Sequence, residues 1–168
     1  GYHKQIYNRL TEPFQMIRVL VSATETDNFF WLRNDKAADP TLQEQARCMY
    51  EAMQQSVPQV LKPGEWHLPF LEFNYPENGP HPKQQTFWVD ETVLSLDESI
   101  KVSCARCAAT SFRNENYGLE KSLQVYDRLV YGDKVHAGAL EHCGTPMETA
   151  KPHLWISGCV NYGAWPAT

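Results

Sequence analysis

Six of the eleven prolines of this 168-residue chain fall between residues 58 and 82. Proline fixes φ, removes a backbone donor and pushes the preceding residue out of the helical region. Neither a long helix nor a central strand is expected to run through such a stretch. Residues 58–90 therefore read as a long, Pro-rich, irregular connection inside one domain spanning residues 1–168. Long loops in compact domains are often functional or lid-like. Trp66, Phe70, Phe73 and Tyr75 lie in this one, so it is expected to pack on something.

Helical periodicity is strongest on either side of the connection. Tyr2, Ile6 and Leu10 recur four residues apart and predict a short helix that Pro13 stops. Residues 14–21 are rich in apolar and β-branched side chains and predict a strand. Thr24, Glu25, Thr26 and Asp27 resemble a helix start, with a hydroxyl cap and carboxylates where the helix dipole favours them. That helix would carry Asn28 through Arg33. Asp39 followed by Pro40 predicts the next start, with Leu42, Ala46, Met49 and Met53 on one face. Residues 100–110 read as strand or mixed structure. Residues 118–131 form an amphipathic pattern, with Leu119, Leu123, Tyr126 and Val130 inward. The tail from Lys151, with Trp155, Tyr162 and Trp165, reads as an irregular packed segment. Helices and strands mix without strict alternation, so the expected class is α+β, or irregular α/β.

Fifteen Lys and Arg against 20 Asp and Glu give a net charge of −5, which argues against a general nucleic-acid binder. A local cationic pocket for one small anion remains compatible with that balance. The densest apolar run spans Val19, Leu20 and Val21, far short of the ~18 residues of a membrane helix. No signal-peptide pattern opens the chain, and its start at Gly1 rather than Met suggests a processed or truncated product. Five cysteines (48, 104, 107, 143 and 159) cannot all pair within one chain, and reduced thiols in a cytoplasm are the simplest expectation.

Cys104-Ala105-Arg106-Cys107 has the spacing of zinc and dithiol sites. A tetrahedral site needs a second matching pair, and the adjacent His142 and Cys143 do not supply one. No metal is expected; two small, half-buried residues near a strand are. No glycine-rich phosphate loop and no Gly-x-Ser-x-Gly elbow is present, so a triphosphatase or esterase has no support. Asn28 and Arg33 stand five positions apart on a short helix, off one narrow stripe, where an amide and a guanidinium can face different parts of a ligand.

Asn8-Arg9-Leu10-Thr11-Glu12-Pro13-Phe14, the following residues 21–33 and Ala38-Asp39-Pro40 resemble the flavin-dependent thymidylate synthases. The likeness is closest to phage and bacterial variants with rearranged segment order. A second match runs from Ser103 to Phe112, through the amphipathic helix, to His136-Ala137-Gly138-Ala139-Leu140-Glu141-His142. It resembles the family segment ending His-x-Ser/Thr-Pro-Phe-Glu-His, with Gly138, Ala139 and Leu140 replacing the usual residues. Together the matches cover about two-thirds of the chain. In commoner members the second segment precedes the first.

The resemblance implies helices packed on a small curved sheet, and reductive methylation of deoxyuridylate (dUMP) to thymidylate (dTMP). It implies flavin adenine dinucleotide (FAD) as cofactor, and NADPH and methylenetetrahydrofolate as co-substrates. Arg9 and Arg33 would contact dUMP, and Arg33 would be catalytic, polarising the uracil. Ser22, Ala23, Thr24, Asn28, His136 and Gly138 would bind FAD; Glu141 and His142 match as well and would hold that turn. A homotetramer in the cytoplasm (a host's, if phage-encoded) is implied too. The family's Arg-His-Arg stretch and the phosphate-gripping loop after it have no counterpart here, and in the rearranged variants they would lie before Gly1. The chain therefore resembles the C-terminal part of such an enzyme, requiring an upstream segment or a second chain. Asp39 stands where the family has glutamine. The alternatives are a non-catalytic assembly subunit, or a nucleotide-binding module without flavin.

Overall fold

Ser95 begins the element on which the rest of the fold is built. In the computed structural model, which describes residues 3–23, 25–78, 83–112 and 116–146, Ser95 Oγ accepts from the Glu98 N–H at 3.3 Å. Glu98 Oε2 in turn accepts from the Ser95 N–H at 2.9 Å. This reciprocal capping box satisfies two N-terminal donors at once. The helix it starts, Leu96–Ala109, is the fourth of five α-helices among the described residues: α1 (Lys4–Thr11), α2 (Asp27–Arg33), α3 (Pro40–Gln55), α4 (Leu96–Ala109) and α5 (Leu119–Val130). A strand or mixed segment over 100–110 is thus corrected to helix. Ser99, Val102, Ser103, Cys104, Ala105, Cys107 and Ala109 are all buried, and a helix covered on most sides belongs to the centre of a core.

Among the described residues, three short strands form one antiparallel sheet in the order β1 (Glu72–Asn74), β2 (Thr86–Val89), β3 (Thr92–Leu94). Phe73 pairs with Phe87, and Phe87 with Leu94. The connection over 58–90 is therefore not irregular throughout, since β1 and β2 lie within it. Their prolines flank the strands instead of interrupting them. Trp66 and Phe73 pack against the core, whereas Phe70 and Tyr75 stay partly exposed. Asp90 and Glu91, both at positive φ (47° and 66°), make the two-residue turn between β2 and β3, the backbone that a tight hairpin demands.

The core joins Leu68, Leu71, Phe87, Val89 and Leu94 to Val102, Cys104 and Ala105 of α4, Tyr126 of α5, and Leu140 and Cys143. α4 packs on α5, on the β2–β3 hairpin and on a 3₁₀ helix, Ala137–His142. α5 buries Tyr126, partly buries Leu119, Leu123 and Val130, and exposes Glu120, Lys121, Gln124, Asp127 and Arg128, as its periodicity predicts; it also buries Ser122, which the pattern did not mark. α3 starts where expected, with Asp39 Oδ1 accepting from the N–H groups of Thr41 and Leu42 at 3.0 and 3.1 Å. The arrangement is α+β. No helix among the described residues is long and apolar enough to cross a membrane.

Residues 15–23 depart from the strand expected over 14–21. They belong to no helix and no ladder, and Ile17, Val19 and Val21, with Phe14 at the end of the 3₁₀ turn before them, are 66–88% exposed. Strand composition is a local property, whereas a strand needs a partner edge. The tail from Lys151 lies outside the described residues.

Candidate functional site

Two segments 120 residues apart meet where His142 Nδ1 lies 3.0 Å from Ser22 Oγ. Ser22 lies near the end of the exposed stretch 15–23. His142 closes the 3₁₀ helix Ala137–His142, between Leu140 and Cys143, each only 3% exposed. The turn is fixed from its far side as well. The His67 N–H donates to the Gly144 carbonyl at 2.7 Å, and the Gly144 N–H donates to the His67 carbonyl at 3.1 Å. Partial burial lowers the His142 pKa below the usual histidine value, with the Glu141 carboxylate opposing. Burial thus favours the neutral ring, in which one nitrogen is a donor and the other an acceptor.

The other named positions surround this contact along the chain. Asn28 lies in the first turn of α2 and Arg33 at its last residue, both exposed. The expected hydroxyl cap is replaced: Thr26 occupies the cap position without a side-chain bond, and Glu25 Oε1 accepts from the Asp27 N–H at 3.2 Å. Phe30 anchors α2, with its ring edge-on to Tyr50 of α3 at 5.3 Å. Arg9 sits exposed in the last turn of α1, and Ala23 is exposed beside Ser22. Thr24 lies outside the described residues. His136 precedes the 3₁₀ helix and donates its N–H to the Leu129 carbonyl at 2.8 Å. Among the described residues, the Ser22–His142 hydrogen bond is the one that joins two of these positions.

Gly138 bears on what the turn can accept. A Cβ there would meet nothing within 4 Å, and its φ is not left-handed. Neither packing nor backbone geometry requires glycine, and the face it presents is open. An open glycine, a hydroxyl, a neutral imidazole, an amide and two exposed guanidiniums suit a planar, amide-edged heterocycle carrying phosphate. FAD and a pyrimidine nucleotide both have that chemistry. Among the described residues, only Ser22 and His142 of this set are brought into contact, while Arg9, Asn28, Arg33 and Gly138 contribute group types of that chemistry from exposed positions on separate elements.

Sequence reasoning passed over Arg106. Its Nη1 donates to the Phe70 carbonyl at 2.7 Å, and its Nε and Nη2 donate to the Tyr117 carbonyl at 3.1 and 2.7 Å. Its position inside the Cys-x-x-Cys segment drew attention to the cysteines, yet the arginine clamps two loops to α4. Cys104 and Cys107 lie on α4, which packs on β2 and β3, and both are buried and not half-buried as expected; the Cys104 sulfur is 3.5 Å from that of Cys143. Among the described residues, no group of three His, Cys, Asp or Glu side chains is placed to hold a metal ion. A cavity of about 430 Å³ lies elsewhere, lined by Trp66, Phe87, Leu94, Leu96 and Lys83, and none of the named site residues borders it. Comparison with known protein families, curated proteins and solved structures finds no match for this chain.

Proposed function

We propose that this chain is part of a flavin-dependent thymidylate synthase, which methylates dUMP reductively to dTMP with methylenetetrahydrofolate and NADPH. The observation that carries the reading is the Ser22–His142 contact at 3.0 Å. The two segments that resemble the family, one through Ser22 and one through His142, meet at that point although 120 residues separate them. When bound, FAD would supply the electron transfer, and the protein's part is to bind, orient and tune charge.

Ser22, Ala23, Asn28, His136 and Gly138 would hold the flavin, with Gly138 leaving room for its close approach. The His142 ring hydrogen-bonds the Ser22 hydroxyl at 3.0 Å and so holds it beside the turn. Arg9 and Arg33 bind the dUMP anion in this scheme. The planar, permanently charged Arg33 stabilises negative charge developing on the pyrimidine, which a flexible lysine does less well. The exposure of Phe14, Ile17, Val19 and Val21 supports a complete enzyme in which a further segment or second chain covers this stretch. That element would bring additional cations for the cofactor pyrophosphate, within a homotetramer.

Arg33→Ala tests the reading in the completed assembly. Losing a preorganised donor costs about 2.7–4 kcal/mol of transition-state stabilisation, or ~10²–10³ in rate. Thymidylate formation should fall by that factor, with little recovery in Arg33→Lys and with flavin retained. Near-wild-type turnover in both variants would refute the assignment of Arg33. An assembly that binds neither flavin nor dUMP would refute the enzyme reading itself.

A further inference from the structure

The thiols of Cys104 and Cys143 are 0% and 3% exposed, with their sulfurs 3.5 Å apart. They end a hydrogen-bond chain of one direction. Ser103 Oγ donates to the Pro69 carbonyl at 2.8 Å, so its oxygen is left to accept from the Cys143 thiol at 3.4 Å. The Cys143 sulfur in turn accepts from the Cys104 thiol. We infer that Cys104 and Cys143 are a reversible dithiol pair, which a hydroperoxide converts to an intrachain disulfide tying the Ala137–His142 turn to α4.

The geometry selects this pair over the one that spacing suggests. Cys104 and Cys107 stand three residues apart inside one regular helix, where Cβ atoms are ~5–6 Å apart. A disulfide needs Cβ atoms ~3.5–4.5 Å apart, so that bridge would distort α4. Cys104 and Cys143 come from different elements, and closing the gap between their sulfurs needs only a small shift of a short turn. Access comes from the same side. Residues 137 and 138 are exposed and the turn is a single short 3₁₀ helix, the kind of element that opens locally without global unfolding.

The hydrogen bond between the two thiols raises the Cys104 pKa, with burial adding to it, and lowers that of Cys143. Cys143 directly follows the short turn whose residues 137 and 138 are exposed, whereas Cys104 is enclosed in α4, so Cys143 is the sulfur that a hydroperoxide reaches first. Its thiolate displaces hydroxide from the hydroperoxide O–O bond and becomes a sulfenic acid. The Cys104 thiol then attacks that sulfur and water leaves. Two thiols are oxidised, one hydrogen peroxide is reduced, and two waters form in total. A dithiol of this kind in a reducing compartment is a transient redox element and not a permanent staple. His142 adjoins Cys143, so the bridge would also fix the residue that contacts Ser22.

The test uses the full chain with Cys48 and Cys159 replaced by serine, which leaves three thiols. It is treated with hydrogen peroxide under native conditions, then alkylated in denaturant and digested with trypsin without reduction. Cleavage after Arg106 separates Cys104 from Cys107. The expected result is a mass lower by two hydrogens, a thiol titre falling from three to one, and a cross-linked pair of peptides containing Cys104 and Cys143, all reversed by dithiothreitol. Cys107→Ala should leave the cross-link intact, and Cys143→Ala should abolish it. A Cys104–Cys107 or Cys107–Cys143 cross-link in the folded chain would overturn the inference. So would an unchanged thiol titre after peroxide has oxidised exposed methionines.

Discussion

Replacing Arg106 with alanine should destabilise the fold by about 2–4 kcal/mol. Its guanidinium makes three hydrogen bonds to two carbonyls, those of Phe70 and Tyr117. Bonds to charged groups contribute about 1.5–3 kcal/mol each, so a simple sum runs higher. Two features reduce it. Tyr117 keeps a second donor, the Ser122 hydroxyl at 3.2 Å, and the partly exposed clamp lets water replace some of the bonds. One feature works the other way. Phe70 sits at φ 63°, a left-handed conformation that costs ~1–2 kcal/mol outside glycine, and its carbonyl is the one that Arg106 Nη1 holds. Helix propensity cannot account for a loss, because alanine is the better helix former. The assay is urea denaturation at constant m-value, backed by calorimetry, where this loss corresponds to about 4–16 °C in Tm for a chain of this size. Arg106→Lys should recover half or less, since an ammonium cannot span both loops. A change within ±0.5 kcal/mol, the range of ordinary surface substitutions, would refute the clamp.

Further outcomes follow from the same geometry. The His142 pKa is lowered by burial, so its contribution to stability is fully present above the unfolded value near 6.5 and lost as pH falls through the folded value. Thermal melts from about pH 7.5 to about pH 5.5 should show a Tm drop that His142→Gln reduces, and identical profiles would remove His142 as its source. Ser95→Ala removes one arm of the α4 capping box and should cost about 0.5–2 kcal/mol, read as a shifted denaturation midpoint. The isolated chain should retain FAD weakly, because the pyrophosphate needs cations beyond Arg9 and Arg33; equilibrium dialysis showing tight binding would locate the phosphate grip within this chain.

What could be read from the sequence was local, and what could not was pairing. Asp39-Pro40 and the four-residue spacing of Leu42 and Ala46 predict α3 because cap and stripe lie within a few turns. The 118–131 pattern predicts α5 for the same reason. α4 escaped because serines, cysteines and alanines buried on most of its sides leave little contrast between faces for periodicity to register. Its real signal was Ser95 with Glu98 three residues on. The β2–β3 hairpin was hidden by a turn made from Asp90 and Glu91 at positive φ, with no glycine or asparagine to mark it. Residues 14–21 show the converse: their composition suits a strand, yet among the described residues they join no ladder and stay largely exposed. The site divides along the same line. Asn28 and Arg33 share a helix that local pattern foresaw. The contact between Ser22 and His142, like that between Cys104 and Cys143, closes a separation of 120 or 39 residues. Spacing pointed Cys104 toward Cys107, three residues away, because sequence distance is the one distance a sequence displays. The structure puts Cys143 against it because α4 and the 3₁₀ turn share one core, and that sharing is set by the packing of Leu140, Val102 and Tyr126.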